Sequence, residues 1–183
     1  MPIPVAGKPI DWQIGDPVSP DSILSHVKGA LLPFFTTRDA NSLRLVCHEF
    51  LEDVTDHQWE DKDTVIRGDV GKWRKCFPRA RAANVEGYNE PVNPQGRRTP
   101  VTDLAFVHFV GVLYLNISWC KSITDAAFIH LQGIQSLNMA GCYQPTITDA
   151  AFIHLVGIRR LDMHFCRADQ RAAARALRLA VFD

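Results

Sequence analysis

The feature that most constrains this chain is a phrase of twenty residues stated three times. Ile123 to Cys142 and Ile147 to Cys166 are close copies, and Val101 to Cys120 is a looser one. Each copy places an apolar residue, further apolar residues three and five positions on, and a cysteine at eight. These are Val112, Leu115, Ile117, Cys120; Ile134, Leu137, Met139, Cys142; and Ile158, Leu161, Met163, Cys166. The cysteines lie 22 and 24 residues apart. A unit of this size cannot bury its own apolar face, so the copies must stack and close a shared core between neighbours.

One copy can be read residue by residue. Leu137 and Met139 alternate with Ser136, Asn138 and Ala140, which predicts a short strand with the first pair inward. Thr124 or Asp125 can cap a helix that carries Phe128 and Leu131 on one face, and Gly133 can end it in the left-handed conformation. The same parts recur as Asp103, Phe106, Phe109, Gly111 and as Asp149, Phe152, Leu155, Gly157. The stacked strands should form a parallel sheet, giving an α/β fold. Frame and period together resemble the cysteine-containing leucine-rich repeats common in F-box proteins, which implies a short leucine-rich repeat solenoid over residues 101–166.

Upstream, residues 1–18 are proline-rich and aperiodic and read as an extended or disordered lead. Ile23, Leu24, Val27 and Leu31 predict a short helix that stops before Pro33. Leu43, Val46, Cys47, Phe50, Leu51 and Val54 keep the spacing of an apolar helix face, with Asp39 or Asn41 as its cap. Pro20, Phe34-Phe35, Asp39, the run Ser42-Leu-Arg-Leu-Val-Cys47, Phe50 and Trp59 make residues 19–60 resemble an F-box. That resemblance implies a three-helix unit that docks on a Skp-type adaptor and, through it, a cullin scaffold. Its contact residues would be Pro20, Ile23, Leu24, Val27, Leu43, Leu45, Val46 and Phe50. Residues 61–100 read as a linker with a degenerate first repeat, in which Phe77, Ala80, Ala82 and Val85 fit the frame, before a loop from Tyr88 to Pro100. From 167 to 183 a capping helix is expected. Asp169 would start it, Val181 would end it, and Ala172, Ala173, Ala176, Leu177 and Ala180 would cover the last repeat.

Composition matters mainly for what it excludes. Formal net charge is zero, so polyanion binding has to rest on a local patch, of which the stripe Arg171, Arg175, Arg178 is the candidate. A solvated capping face is the alternative reading. No apolar stretch approaches a membrane span and the first twenty residues lack a signal-peptide core, so an intracellular setting is expected, cytoplasmic or nuclear, in a host cell if the source is viral. His108, His130 and His154 recur beside the cysteines, but helix and strand positions stack as separate ladders instead of converging on one metal. Gly68-Asp-Val-Gly71-Lys72 is too short for a phosphate loop, and no nucleophile elbow or metalloprotease helix occurs. The expectation is a protein without catalytic residues, cofactor or metal. Its partner would lie across the residues between the inward positions: Tyr114, Asn116 and Ser118; Ser136, Asn138 and Ala140; Arg160, Asp162 and His164. The resemblance implies a substrate-recognition adaptor of an SCF-type ubiquitin ligase. A repeat protein that binds partners without that role is the rival, and a nucleic-acid binder is a lesser one.

Overall fold

Each copy of the repeat folds as its alternation requires. The structure, a computed structural model, describes residues 31–43, 48–87 and 100–182. Short strands β1 (Ala82–Asn84), β2 (Tyr114–Asn116), β3 (Ser136–Asn138), β4 (Arg160–Asp162) and β5 (Val181–Phe182) form one parallel sheet in chain order. Tyr114, Ser136 and Arg160 are register partners, as are Leu115, Leu137 and Leu161. A rung of backbone bonds repeats with them. The carbonyls of Trp59, Arg81, Leu113 and Gln135 each accept two successive N–H groups from the next unit. All twelve frame residues from Val112 to Cys166 are buried.

Opposite the sheet lie short helices: a 3-10 helix (Asp103–Phe109), α4 (Asp125–Phe128) and α5 (Asp149–Phe152), the last two each running on as a turn of 3-10 helix. Four helices outside the copies complete the numbering: α1 (Thr37–Leu43), α2 (His48–Asp56) and α3 (Val70–Cys76) before the sheet's second strand, and α6 (Ala168–Ala176) after β4. The choice of cap is resolved. Thr124 and Thr148 cap α4 and α5 by accepting from the N–H groups of Ala126 and Ala150. The aspartates reach sideways instead: Asp103 accepts from Thr124 N and Oγ1 at 2.8 and 2.7 Å, and Asp125 from Thr148 N and Oγ1 at 2.7 and 2.6 Å. The Thr124-Asp125 pair thereby caps its own helix and holds the next one, while Thr102 makes no side-chain cap bond. Gly111, Gly133 and Gly157 end the helical turns at positive φ, a conformation that costs glycine little.

The cysteines make a second ladder. The thiols of Cys120, Cys142 and Cys166 each donate to a carbonyl of the preceding unit, Val85, Ile117 and Met139, at 3.2 Å. Burial pushes the Cys166 pKa up to about 11 and Cys142 higher still.

Several expectations are corrected. In the first unit Ala83, not Ala82, pairs with Leu115, so the frame there is Ala80, Ala83, Val85, three residues later than the spacing of Phe77, Ala80, Ala82 and Val85 suggested. Two alanines side by side carry no alternation to choose between them. Phe77 instead joins a separate cluster with Leu32, Ala40, Val54, Trp59 and Ala80, and Trp73 packs against both this cluster and the main core. At the far end the helix stops at Ala176, and Arg178 takes a φ of 56° that lets Val181 and Phe182 join the sheet beside β4. Asp169 does not cap it; the Gln170 side chain accepts from Arg167 N. Of the residues expected to cover the last repeat, Ala172, Ala176 and Leu177 are exposed, and Gln170, Ala174 and Leu179 are buried in their place. At α1, Thr36 rather than Asp39 or Asn41 stands at the cap: Thr36 Oγ1 accepts from Asp39 N while Asp39 accepts from Thr36 N, a reciprocal capping box. Pro33 sits inside a 3-10 turn (Leu32–Phe34) where its missing N–H costs nothing.

Candidate functional site

The open side of the sheet is a hollow of about 430 Å³. Tyr114, Asn116, Ser136, Asn138, Arg160 and Asp162 all line it, as strand alternation requires, joined by Lys62, Gln135 and Arg159. The two rows of outward side chains differ in what they are free to do. Asn116, Asn138 and Asp162 turn back to accept from the N–H two residues on, at Ser118, Ala140 and His164. Asn84 does the same for Glu86. These are local turns that end each strand, so this row shapes the hollow before it binds anything. The row Tyr114, Ser136, Arg160 carries no such bond and presents an aromatic, a hydroxyl and a guanidinium side by side.

Because the strands end at the asparagines, alternation does not run on as far as expected. Ser118 is only 5% exposed and cannot serve as an outward contact. Ala140 is half-buried, and His164 is exposed. The His164 ring nitrogen Nδ1 lies 2.8 Å from Asp162 Oδ1.

Charge on this face is uneven. Lys62 holds its ammonium 3.6 Å from the Tyr114 ring centroid, and the Arg160 guanidinium lies 5.3 Å from that of Phe182. Among the described residues neither cation, nor Arg159, pairs with a carboxylate. Asp162, the acid of the hollow, is already engaged by His164.

A second feature stands beside the strand ends and was not anticipated. Gly87, Trp119, Gly141 and Phe165 occupy equivalent places in successive units. Trp119 and Phe165 stack at 6.0 Å with φ near +60°, and a Cβ on Gly141 would come within 2.5 Å of the Trp119 ring. Phe165 is 71% exposed. The signal was present in the sequence: glycine at a frame position that is aromatic in both neighbouring copies.

On the helical side, the expected adaptor contacts Pro20, Ile23, Leu24, Val27, Leu45 and Val46 lie outside the described residues, while Leu43 ends α1 and Phe50 lies in α2. What this side does show is exposed apolar surface at Leu31, Leu51 and Phe34, the last 83% exposed. Trp59 ties the helices to the sheet: its Nε1 donates to Val54 O and its carbonyl accepts from Arg81 and Ala82. Asp61 adds a second tie, accepting from Thr37 N and Oγ1 through one oxygen and from Asp63 N and Thr64 N through the other. Partial burial raises its pKa, but these bonds outweigh burial and hold the carboxyl below its ordinary value.

The arginine stripe is broken up. Arg178 lies past the end of α6, Arg167 pairs with Asp169, and Arg171 and Arg175 both have partners. Among the described residues no group of three His, Cys, Asp or Glu is placed to hold a metal, and no helix is long and apolar enough to cross a membrane. No known protein-family profile matches the chain, and no curated protein matches it.

Proposed function

We propose that the stacked units are leucine-rich repeats, that the helical segment before them is an F-box, and that the chain is a non-enzymatic substrate-recognition adaptor of an SCF-type cullin-RING ubiquitin ligase. Under this reading the helices bind a Skp-type adaptor and the open sheet face holds a protein substrate. One observation supports it: the described residues carry two separate surfaces, exposed apolar side chains on the helical segment and, on the sheet, a hollow whose cations pair with no carboxylate among the described residues. Exposed apolar surface of this kind marks interaction sites. Co-expression with a Skp-type adaptor tests it. The intact chain should co-purify with the adaptor, and Val27→Asp with Leu45→Asp should abolish this while circular dichroism stays unchanged; a double variant that binds as well as the parent sinks the assignment.

A second reading has its own support. Leu32, Ala40 and Val54 pack on Trp59, Phe77 and Ala80 at the end of the sheet, as a solenoid's terminal cap does. The chain would then be a partner-binding repeat protein without a ligase role, and no Skp-type adaptor would co-purify.

A further inference from the structure

We propose that the occupant of the open sheet face is an acidic peptide in extended form, lying across the strands with two carboxylates three residues apart. This deepens the reading above and rests on that face being the partner surface. Lys62, Arg159 and Arg160 converge on one hollow with no carboxylate paired to them among the described residues, while the one acid there, Asp162, is held by His164. A chain of zero net charge thus concentrates in one hollow three cations that pair with no carboxylate among the described residues. Such a local excess draws in anionic groups.

The spacing follows from the sheet. Lys62 stands over Tyr114 on β2, and Arg160 projects from β4, its register partner two strands away. Two strand spacings are about 10 Å. A polyproline-II-like peptide brings residues i and i+3 to one side about 9 Å apart, so one carboxylate meets Lys62 and the next meets Arg160. A fully extended strand puts same-side groups about 7 or 13 Å apart and fits less well. Between the two, Ser136 and Asn138 face the peptide backbone with hydrogen-bonding groups.

The test uses the full chain and labelled twelve-residue Ser/Gly peptides in fluorescence polarisation. Two glutamates are set one to six residues apart, with matching lysine and phosphoserine pairs and a twelve-nucleotide single-stranded DNA. Binding should be tightest for glutamates three apart, absent for lysine, and weakened at least fivefold by raising salt from about 50 to 300 mM. Lys62→Ala with Arg160→Ala should weaken it at least tenfold at unchanged melting temperature, and the salt response of the parent chain keeps the test decisive if that variant misfolds. No binding, indifference to the sign of charge, or tighter binding of DNA or of phosphoserine alone would overturn the proposal. Loss of peptide binding with adaptor co-purification retained counts against this inference only; the reverse counts against the ligase reading only.

Discussion

Residues here carry two jobs at once, and that doubling decides what a substitution costs. Cys142 fills a site that is fully buried and also donates its thiol to the carbonyl of Ile117. With its pKa raised by burial, it has little thiolate to react. Iodoacetamide at about pH 8 should therefore leave Cys120, Cys142 and Cys166 unmodified in the native chain and modify them after urea unfolding, read by peptide mass spectrometry. Cys142→Ala should cost about 1–2 kcal/mol through lost packing and the lost bond, with no response to chelator. Gly141 tests the aromatic column. At φ 73° and with the Trp119 ring where a Cβ would stand, Gly141→Ala should destabilise by about 1–3 kcal/mol and shift tryptophan fluorescence. The inward residues were readable in the sequence because a repeated period states them three times. Trp119 stacking on Phe165 was not, because alternation says which way a side chain points and nothing about what crosses from one copy to the next.

At the scale of elements, neighbouring units are joined by side chains as much as by strands. Asp103 holds both donors of Thr124, and Asp125 those of Thr148, while each threonine caps its own helix. Asp125→Ala should thus loosen one helix from the previous one and cost about 1–2 kcal/mol in a urea titration. Asp61 plays the corresponding part between the helical segment and the sheet. Its folded pKa lies below the unfolded value of about 4, so the stabilisation it gives is complete above that value and fades as pH falls through the folded one. Acid unfolding from about pH 4 downward should be less steep in Asp61→Asn than in the parent chain, with little difference in slope near pH 7. The register of strands β2 to β4 could be read from sequence, since Tyr114, Ser136 and Arg160 occupy one frame position, but their ends at Asn116, Asn138 and Asp162 could not. Nor could the ends of the stack. In the first unit Ala82 and Ala83 have no contrast in hydropathy, so the register was set three residues early. At the other end the alanine-rich run 172–176 reads as helix throughout, and only the left-handed turn at Arg178, which helix propensity does not foresee, sends Val181 into the sheet.

For the molecule as a whole, the arrangement separates two surfaces that can be broken one at a time. The helical segment meets the sheet through Trp59, Phe77 and Ala80 and through Asp61, and of the outward row only Tyr114 touches that junction, beneath the Lys62 ammonium. Tyr114, Ser136 and Arg160 differ in chemistry where their inward neighbours Leu115, Leu137 and Leu161 are identical. Within one chain, a constant interior beside a varied exterior leaves the exterior available for recognition, and tyrosine and arginine are frequent anchors of such faces. Removing both should leave the stack folded: Tyr114 is only half-buried, Arg160 is exposed, and among the described residues neither side chain makes a hydrogen bond that holds a unit to its neighbour. Tyr114→Ala with Arg160→Ala should lower the melting temperature by no more than about 4 °C, the equivalent of roughly 1 kcal/mol or less in a chain of this size. If the proposed ligase reading holds, a pull-down with mass spectrometry should show that it loses the proteins captured by the intact chain and keeps the Skp-type adaptor. Val27→Asp with Leu45→Asp should do the reverse, losing the adaptor and keeping the captured proteins. If the tyrosine and arginine changes leave both sets of partners bound, recognition lies away from the open sheet face, and Trp119 and Phe165 beside the strand ends become the next residues to change.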